Sequence, residues 1–212
     1  MASPRPRSVP PVAGAPVWLH PTKPELVQQL SAVRSTLVAA GAESLRALHL
    51  YDRYLENLAE PHRSTLRLTV AGSWLSLDVM TAHYAACDSL GLAPERVLEI
   101  GRGIGTKMND LWAGLMRSIV KTAGVTPWSA LDLYGRFWSR MFVGGGVALL
   151  RQGPKEAIVS LRELPIAPYA YFRGTFCGVH ERILGMLCSK IYVRVVASSL
   201  TPSGFDLRLS WV

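Results

Sequence analysis

The hydrophobic pattern of the chain changes its period at one point, the triple glycine at residues 144–146. Before this point, apolar residues recur every three or four positions, which is typical of amphipathic helices. After it, apolar and polar residues alternate within short segments, which is typical of half-buried strands. The sequence of 212 residues is therefore predicted to be an α+β protein with its helices first.

Residues 25–143 are predicted to be mainly helical. An apolar stripe predicts one helix that stops at Gly41 and a second helix that ends before Pro61. Residues 66–70 alternate between apolar and polar side chains, which favours a short strand. Ser76 is then expected to cap the next helix, because its hydroxyl can accept a bond from a free backbone N–H.

Residues 147–212 are predicted to form a ββαββ unit. Its parts are a hairpin over residues 147–161, a helix over 168–188 and two strands at 191–196 and 205–211. This order favours a small antiparallel sheet that is covered by the N-terminal helical layer.

Residues 1–24 are rich in proline, which fixes φ and cannot donate a backbone hydrogen bond. We expect a disordered tail here and a single domain over residues 25–212. No apolar run is long enough to span a membrane, and the N-terminus lacks the apolar core of a signal peptide. Three scattered cysteines do not suggest a disulfide framework. These observations predict a cytoplasmic protein.

The net charge is +8, which by itself suggests nucleic acid as a partner. However, the basic residues are spread along the chain, and no segment interleaves them with aromatic residues as RNA-binding sheets do. We therefore do not expect nucleic-acid binding.

The segment Arg96–Gly114 reads RVLEIGRGIGTKMNDLWAG. An apolar run that ends in an acidic residue and is followed by three glycines resembles the first motif of S-adenosylmethionine-dependent methyltransferases. Proteins of that class have a parallel, doubly wound sheet. The hydrophobic pattern of the C-terminal half does not predict such a sheet. An apolar stripe also continues unbroken from Val97 to Ile119. We therefore predict one helix over residues 95–120 and keep the methyltransferase as an alternative.

Glycine pairs four residues apart occur in two predicted helices. They are Gly101 with Gly105, and Gly174 with Gly178. Each glycine costs a helix about 1 kcal/mol relative to alanine, but a pair on one face permits the close approach of another helix. We expect these two helices to cross there.

Large aromatic residues are frequent in the predicted helices, and such side chains often line apolar pockets. The candidate ligand-binding residues are Trp74, Tyr84, Trp112, Trp138, Tyr171 and Phe172. We expect no metal site, because the histidines show no paired spacing of ligands. We also expect no catalytic residues, because no nucleophile has a base and an orienting group at a recognisable spacing.

Several segments carry a further resemblance: AGSWLSLDVMTAHYAACDSLGLAPERVLEIGRGIG, AGVTPW, FVGGG, GPKEA, YFRG and LRLSWV. They resemble a paralogue-rich family of bacterial proteins that is known chiefly from myxobacteria, over about residues 30–212. That family is distantly similar to the superfold of haem-nitric-oxide-binding domains, vinyl-4-reductase-like ligand domains and transport-particle (TRAPP) subunits. The resemblance implies helices on a small antiparallel sheet and an internal pocket for a hydrophobic ligand or haem.

The haem-binding members of this superfold use a helix histidine as axial ligand and a Tyr-x-Ser-x-Arg motif for the propionates. Residues Tyr169–Arg173 read Tyr-Ala-Tyr-Phe-Arg, with Tyr171 in the place of the serine. His83 lies off the main apolar stripe of its predicted helix. We therefore expect neither haem nor S-adenosylmethionine as a cofactor. The sequence does not identify the ligand.

These patterns favour a non-enzymatic sensory, regulatory or adaptor module with an apolar small-molecule pocket between helices and sheet. Two alternatives remain: a homodimeric protein-interaction module without a ligand, and the methyltransferase.

Overall fold

The computed structural model describes residues 14–70, 72–108 and 126–212. The helices are α1 (Ser35–Ala47), α2 (Tyr51–Glu56), α3 (Glu60–Leu68), α4 (Leu77–Asp88), α5 (Pro94–Lys107), α6 (Pro127–Asp132), α7 (Tyr134–Met141) and α8 (Ala170–Leu184). The strands are β1 (Val17–His20), β2 (Ala32–Arg34), β3 (Trp74–Ser76), β4 (Phe142–Val143), β5 (Gly146–Gly153), β6 (Glu156–Arg162), β7 (Ile191–Val195) and β8 (Phe205–Trp211). Short 3₁₀ turns lie at Pro24–Leu26 and Ala197–Ser199.

Five strands form an antiparallel sheet in the order β1-β5-β6-β8-β7. Alternate residues of β6 and β8 are buried on one face. Helix α8 packs on that face, with the rings of Phe172 and Phe205 6.0 Å apart. The predicted α+β fold and its C-terminal ββαββ unit are confirmed, because β5, β6, α8, β7 and β8 follow one another in the chain.

The sheet also contains a strand that the sequence did not predict. β1 pairs antiparallel with β5, with Val17 opposite Leu149. The prediction of a disordered tail over residues 1–24 is therefore wrong for β1 and the 3₁₀ turn after it, while residues 1–13 lie outside the described part. Proline composition suggested disorder, but pairing with β5 satisfies the backbone of this segment.

The N-terminal helices also differ from the predicted ones. Helix α1 starts at Ser35 and continues through Gly41, so the predicted start near residue 25 and the stop at Gly41 are wrong. Residues 66–68, predicted as part of a strand, end helix α3 instead. Three short strands, in the order β3-β2-β4, form a second sheet that joins the start of the helical layer to its end.

The glycine-rich segment is helical. Helix α5 runs from Pro94 to Lys107, and Ile100 lies in its middle. The interpretation as a methyltransferase cofactor loop is therefore wrong, since that loop would follow a strand of a parallel sheet and both sheets among the described residues are antiparallel. The prediction of one continuous helix over 95–120 is wrong at its end, because α5 stops at Lys107 and Met108 is its C-cap; residues 109–120 lie outside the described residues.

Helices α5 and α8 are in direct contact at their glycines. A Cβ atom at Gly101 would overlap with the backbone of Thr175, and one at Gly178 would overlap with that of Leu98. At Gly174 it would lie 2.6 Å from a methyl group of Val97. Because each of these positions has room only for hydrogen, the two helices lie backbone against backbone.

Candidate functional site

Four buried side chains with polar atoms meet inside the helical layer. They are Tyr54 of α2, His83 and Cys87 of α4, and Tyr171 of α8, and each is 3% exposed or less. We call them the tyrosine–histidine cluster. Hydroxyl, thiol and imidazole groups lose hydration on burial, so each is expected to have a hydrogen-bond partner.

Tyr54 and His83 satisfy each other. The Oη atom of Tyr54 lies 2.7 Å from Nδ1 of His83, and the two rings meet edge to face at 5.4 Å. The Sγ atom of Cys87, one helical turn after His83, is 4.0 Å from both ring nitrogens. The ring of Tyr171 is also edge-on to His83, at 6.3 Å.

Burial keeps the cluster uncharged. It lowers the pKa of His83 to about 4, so the imidazole is neutral at pH 7. Burial also raises the pKa of the Cys87 thiol and of the Tyr54 and Tyr171 phenols far above neutrality. None of these groups is therefore poised to exchange a proton at physiological pH.

Tyr171 breaks the pattern of satisfied groups. Its hydroxyl is buried and has no oxygen or nitrogen partner in the described part of the chain. Its hydrogen-bond partner is the thiol of Cys87, and sulfur is only a weak acceptor. The backbone of Tyr171, in contrast, is fixed, because its N–H donates to the carboxylate of Asp88 at 2.6 Å.

The hydroxyl of Tyr171 faces a narrow cleft between α1, α4, α5 and α8. The cleft has a volume of about 20 Å³, which holds a water-sized group. Gly41 of α1 forms one wall: a Cβ atom added there would lie 3.6 Å from Cδ1 of Ile104 and 3.9 Å from Oη of Tyr171. These are ordinary contact distances, so the packing does not require glycine at residue 41.

The second buried histidine, His180 of α8, has both ring nitrogens occupied. Its Nδ1–H donates to the carbonyl of Phe176 at 2.7 Å, so Nε2 accepts from the hydroxyl of Tyr134, also at 2.7 Å. Burial lowers the pKa of His180 to about 4. This histidine ties α8 to α7 and has no free nitrogen for a ligand.

The structure brings together three of the six residues predicted to bind a ligand. The ring of Tyr84 lies 5.1 Å from that of Phe172 and 6.5 Å from that of Tyr171, and all three line the cleft. Sequence reasoning missed Tyr54, His83 and Gly41 as parts of the same site. The signal in the sequence was His83, one helical turn before Cys87. Its partner Tyr54 lies on another helix, so the sequence did not show the pair.

The other three predicted residues lie elsewhere. Trp138 is completely buried, stacks on Phe142 at 4.2 Å and donates its Nε1–H to the carbonyl of Gly144 at 3.0 Å. Trp74 is 40% exposed on β3, beneath the guanidinium of Arg34. Trp112 lies outside the described residues. Side chains therefore fill the space around Trp138, where the sequence predicted a pocket.

Comparison with solved structures shows that the chain has the fold of H-NOX domains, haem-based nitric-oxide-binding proteins. A mutant H-NOX protein from K. algicida in its unliganded Fe(II) state is similar with a TM-score of 0.62 and 7% identity, over 84% of this chain and 96% of that one. An oxygen-binding H-NOX domain related to soluble guanylate cyclases, in its oxygen complex, matches with a TM-score of 0.55, 14% identity and coverage of 84% and 94%. A protein studied for haem redox potential and porphyrin distortion matches with a TM-score of 0.55, 15% identity and coverage of 84% and 94%.

At these identities the likeness establishes the fold, and it confirms the predicted superfold at that level. No protein-family model matches the chain. No curated protein matches it in sequence either.

The residues of the helical layer do not fit a haem. The cleft is smaller than the roughly 300–1,000 Å³ of ordinary ligand pockets. Nδ1 of His83 is bonded to Tyr54, and the thiol of Cys87 lies 4.0 Å from both of its ring nitrogens. Arg173, in the position of the propionate arginine, donates instead to the backbone carbonyls of Ala167 and Pro168. Among the described residues, the cleft beside His83 therefore lacks the space for haem, and neither His83 nor Arg173 is arranged to hold one.

Proposed function

We propose that the protein is a non-enzymatic sensory module that binds a small molecule in its helical layer without haem. The observation that carries this proposal is the meeting of two locally unfavourable features at one cleft. The hydroxyl of Tyr171 is buried with only the weakly accepting thiol of Cys87 as a partner, and Gly41 occupies a helix interior where alanine would fit. Positions that break local rules of stability without a packing reason are expected at functional sites.

Because of these two features, the side chain of Tyr171 can adopt a second position at little cost in free energy. The hydroxyl has only a weak hydrogen bond with the Cys87 thiol to lose, and the side of the cleft formed by Gly41 leaves a water-sized space beside it. Packed interiors respond to ligands by switching between discrete arrangements. A ligand that contacts the cluster would change the balance between two positions of Tyr171.

Helix α8 is the path from the cluster to the sheet. Phe172 follows Tyr171 and contacts Tyr84 on the helical side and Phe205 of β8 on the sheet side. The same helix is held backbone against backbone on α5. A shift of the Tyr171 ring would therefore reach the sheet through the side chain of Phe172, while the backbone of α8 stays in place.

A non-enzymatic role agrees with the electrostatics of the cluster. The neutral His83 and the protonated phenols provide shape and hydrogen-bond donors at pH 7. General acid–base catalysis uses groups whose pKa lies near the working pH, and burial has moved these groups away from it.

The test is native mass spectrometry of the protein purified from its native host, together with NMR of the His83 and Tyr171 rings. We expect a bound molecule of defined mass, and a change in both ring spectra when it is removed. If only the bare chain is found, and a library of small molecules leaves both rings unchanged, the proposal is wrong. The ring of His180, which is fully hydrogen-bonded, is the internal control.

A further inference from the structure

A groove between α1 and α3 borders the tyrosine–histidine cluster from outside. Its volume is about 290 Å³, close to the lower limit of pockets for small organic molecules. Tyr54 belongs to both places: its ring lines the groove, and its hydroxyl is bonded to His83. An occupant of the groove would therefore touch the cluster directly.

The floor of the groove is lined by apolar side chains together with the buried Ser35. Val38 and Ala42 of α1 are four residues apart on one helix face, and Leu75 of β3 lies beside them, all three buried. Tyr51 adds an aromatic wall. This surface would gain free energy by contact with a hydrocarbon chain.

The rim of the groove is positively charged. Arg46 and Arg67 line it, and neither has an ion-pair partner among the residues that the structure describes. Arg46 is held by the ring of Tyr51, 3.9 Å from its guanidinium carbon. The acidic residue at the rim, Glu43, is already paired with Lys107. The groove therefore offers two unpaired guanidinium groups beside a largely apolar floor.

Helix α3 covers the groove incompletely. None of its nine residues is buried, and Leu68, at its last position, is 82% exposed. An amphipathic helix of a folded domain normally buries its apolar side. The shallow contact of α3 leaves room for a third element between it and α1.

We propose that this groove binds a single-chain carboxylate, with its carboxylate at Arg46 and Arg67 and its hydrocarbon chain on the floor beside Tyr54. Guanidinium groups bind carboxylates through charge-assisted hydrogen bonds. This inference rests on the proposed sensory function and names the ligand class and its place. The proposed occupant is a free molecule and not a membrane lipid.

The experiment is calorimetric titration of the full chain with decanoate, below the concentration at which it forms micelles, and with decanol as a neutral analogue. We expect decanoate to bind at least about 10-fold more tightly than decanol, since a hydrogen bond to a charged group contributes about a factor of ten or more. Arg46→Gln and Arg67→Gln should each weaken decanoate binding by about 5- to 10-fold and leave decanol unchanged. Arg53→Gln, an exposed arginine on α2 that does not line the groove, is the matched control and should bind like the wild type.

Equal binding of decanoate and decanol would overturn the inference, and so would binding of decanoate that neither groove variant weakens. In both cases a co-purifying ligand would still support the sensory function. Failure of this inference can therefore be distinguished from failure of the proposed function. Sedimentation of the protein with phosphatidylglycerol vesicles that decanoate prevents, and that Arg46→Gln and Arg67→Gln weaken, would place a membrane lipid in the groove and overturn the inference of a free ligand.

Discussion

The hydroxyl of Tyr171 faces Gly41 across the cleft, and a single methyl group at residue 41 would lie 3.9 Å from it. This pair links α8 to α1 without a hydrogen bond. Glycine in the middle of α1 costs stability that alanine would restore, and the buried hydroxyl of Tyr171 has only the weakly accepting thiol of Cys87 as a partner.

Gly41→Ala is expected to stabilise the protein by about 0.5–1 kcal/mol, because alanine is the better helix former and its methyl group meets no close atom. Urea unfolding followed by circular dichroism measures this. Gly101→Ala is the matched control: its methyl group would overlap with the backbone of Thr175, so we expect a loss of more than about 2 kcal/mol. Destabilisation by Gly41→Ala would show that the cleft has no free space.

Tyr171→Phe is expected to leave the free energy of unfolding unchanged or to raise it by up to about 1 kcal/mol, because the buried hydroxyl that it removes has only the weakly accepting thiol of Cys87 as a partner. Tyr54→Phe should instead cost about 1–3 kcal/mol, since Nδ1 of His83 would lose its bond. The same unfolding measurement compares the two. A larger loss for Tyr171→Phe than for Tyr54→Phe would contradict the assignment of bonds in the cluster.

Acid should weaken the fold through the two buried histidines. Burial lowers the pKa of His83 and of His180 to about 4 in the folded state, below the ordinary value of about 6.5 in the unfolded chain. The unfolded chain therefore takes up protons first as the pH falls. Stability is complete above pH 6.5 and falls between pH 6.5 and 4, by about 3 kcal/mol for each histidine at most.

Urea unfolding at pH 7.5, 6.0 and 5.0 checks this expectation, in a range where most carboxylates stay ionised. NMR of the imidazole rings is the companion measurement, and neither buried ring should titrate above pH 5. A free energy of unfolding that stays constant down to pH 5 would mean that the histidines are accessible to protons in the folded state.

Haemin added to the purified protein should give no stoichiometric complex with a histidine-coordinated Soret spectrum. The nitrogens of His180 are occupied, and the cleft beside His83 holds only a water-sized group. Absorbance titration measures the outcome. A one-to-one complex that His83→Ala abolishes would show that the helical layer opens to admit haem.

The C-terminal half of the fold could be predicted because its strands are regular and its connections are local. In β8 every second residue, from Phe205 to Trp211, is buried, and this alternation is directly visible in the sequence. The N-terminal strands β2 and β3 have three residues each. These strands form because β2 pairs with β3 and with the distant β4. A hydrophobic pattern of three residues is too short to predict a strand from the sequence.

The candidate site was predictable only in part. Tyr84, Tyr171 and Phe172 stood out as aromatic residues on helices, but the bond between Tyr54 and His83 depends on how α2 docks against α4. Gly41 looked like a helix stop, since local propensity cannot reveal that packing carries α1 through it. No helix among the described residues is long and apolar enough to cross a membrane. The cytoplasmic location, the homodimer and the link to myxobacteria stay predictions.

The central claim is that Tyr171 responds to a ligand because Gly41 leaves it room. NMR of the Tyr171 ring during titration with decanoate tests this most directly, in the wild type and in Gly41→Ala. The account predicts that decanoate binds both proteins and shifts the Tyr171 signals of the wild type, while the signals of Gly41→Ala move much less. Equal shifts in the two proteins, or bound decanoate that leaves Tyr171 of the wild type unchanged, would contradict it.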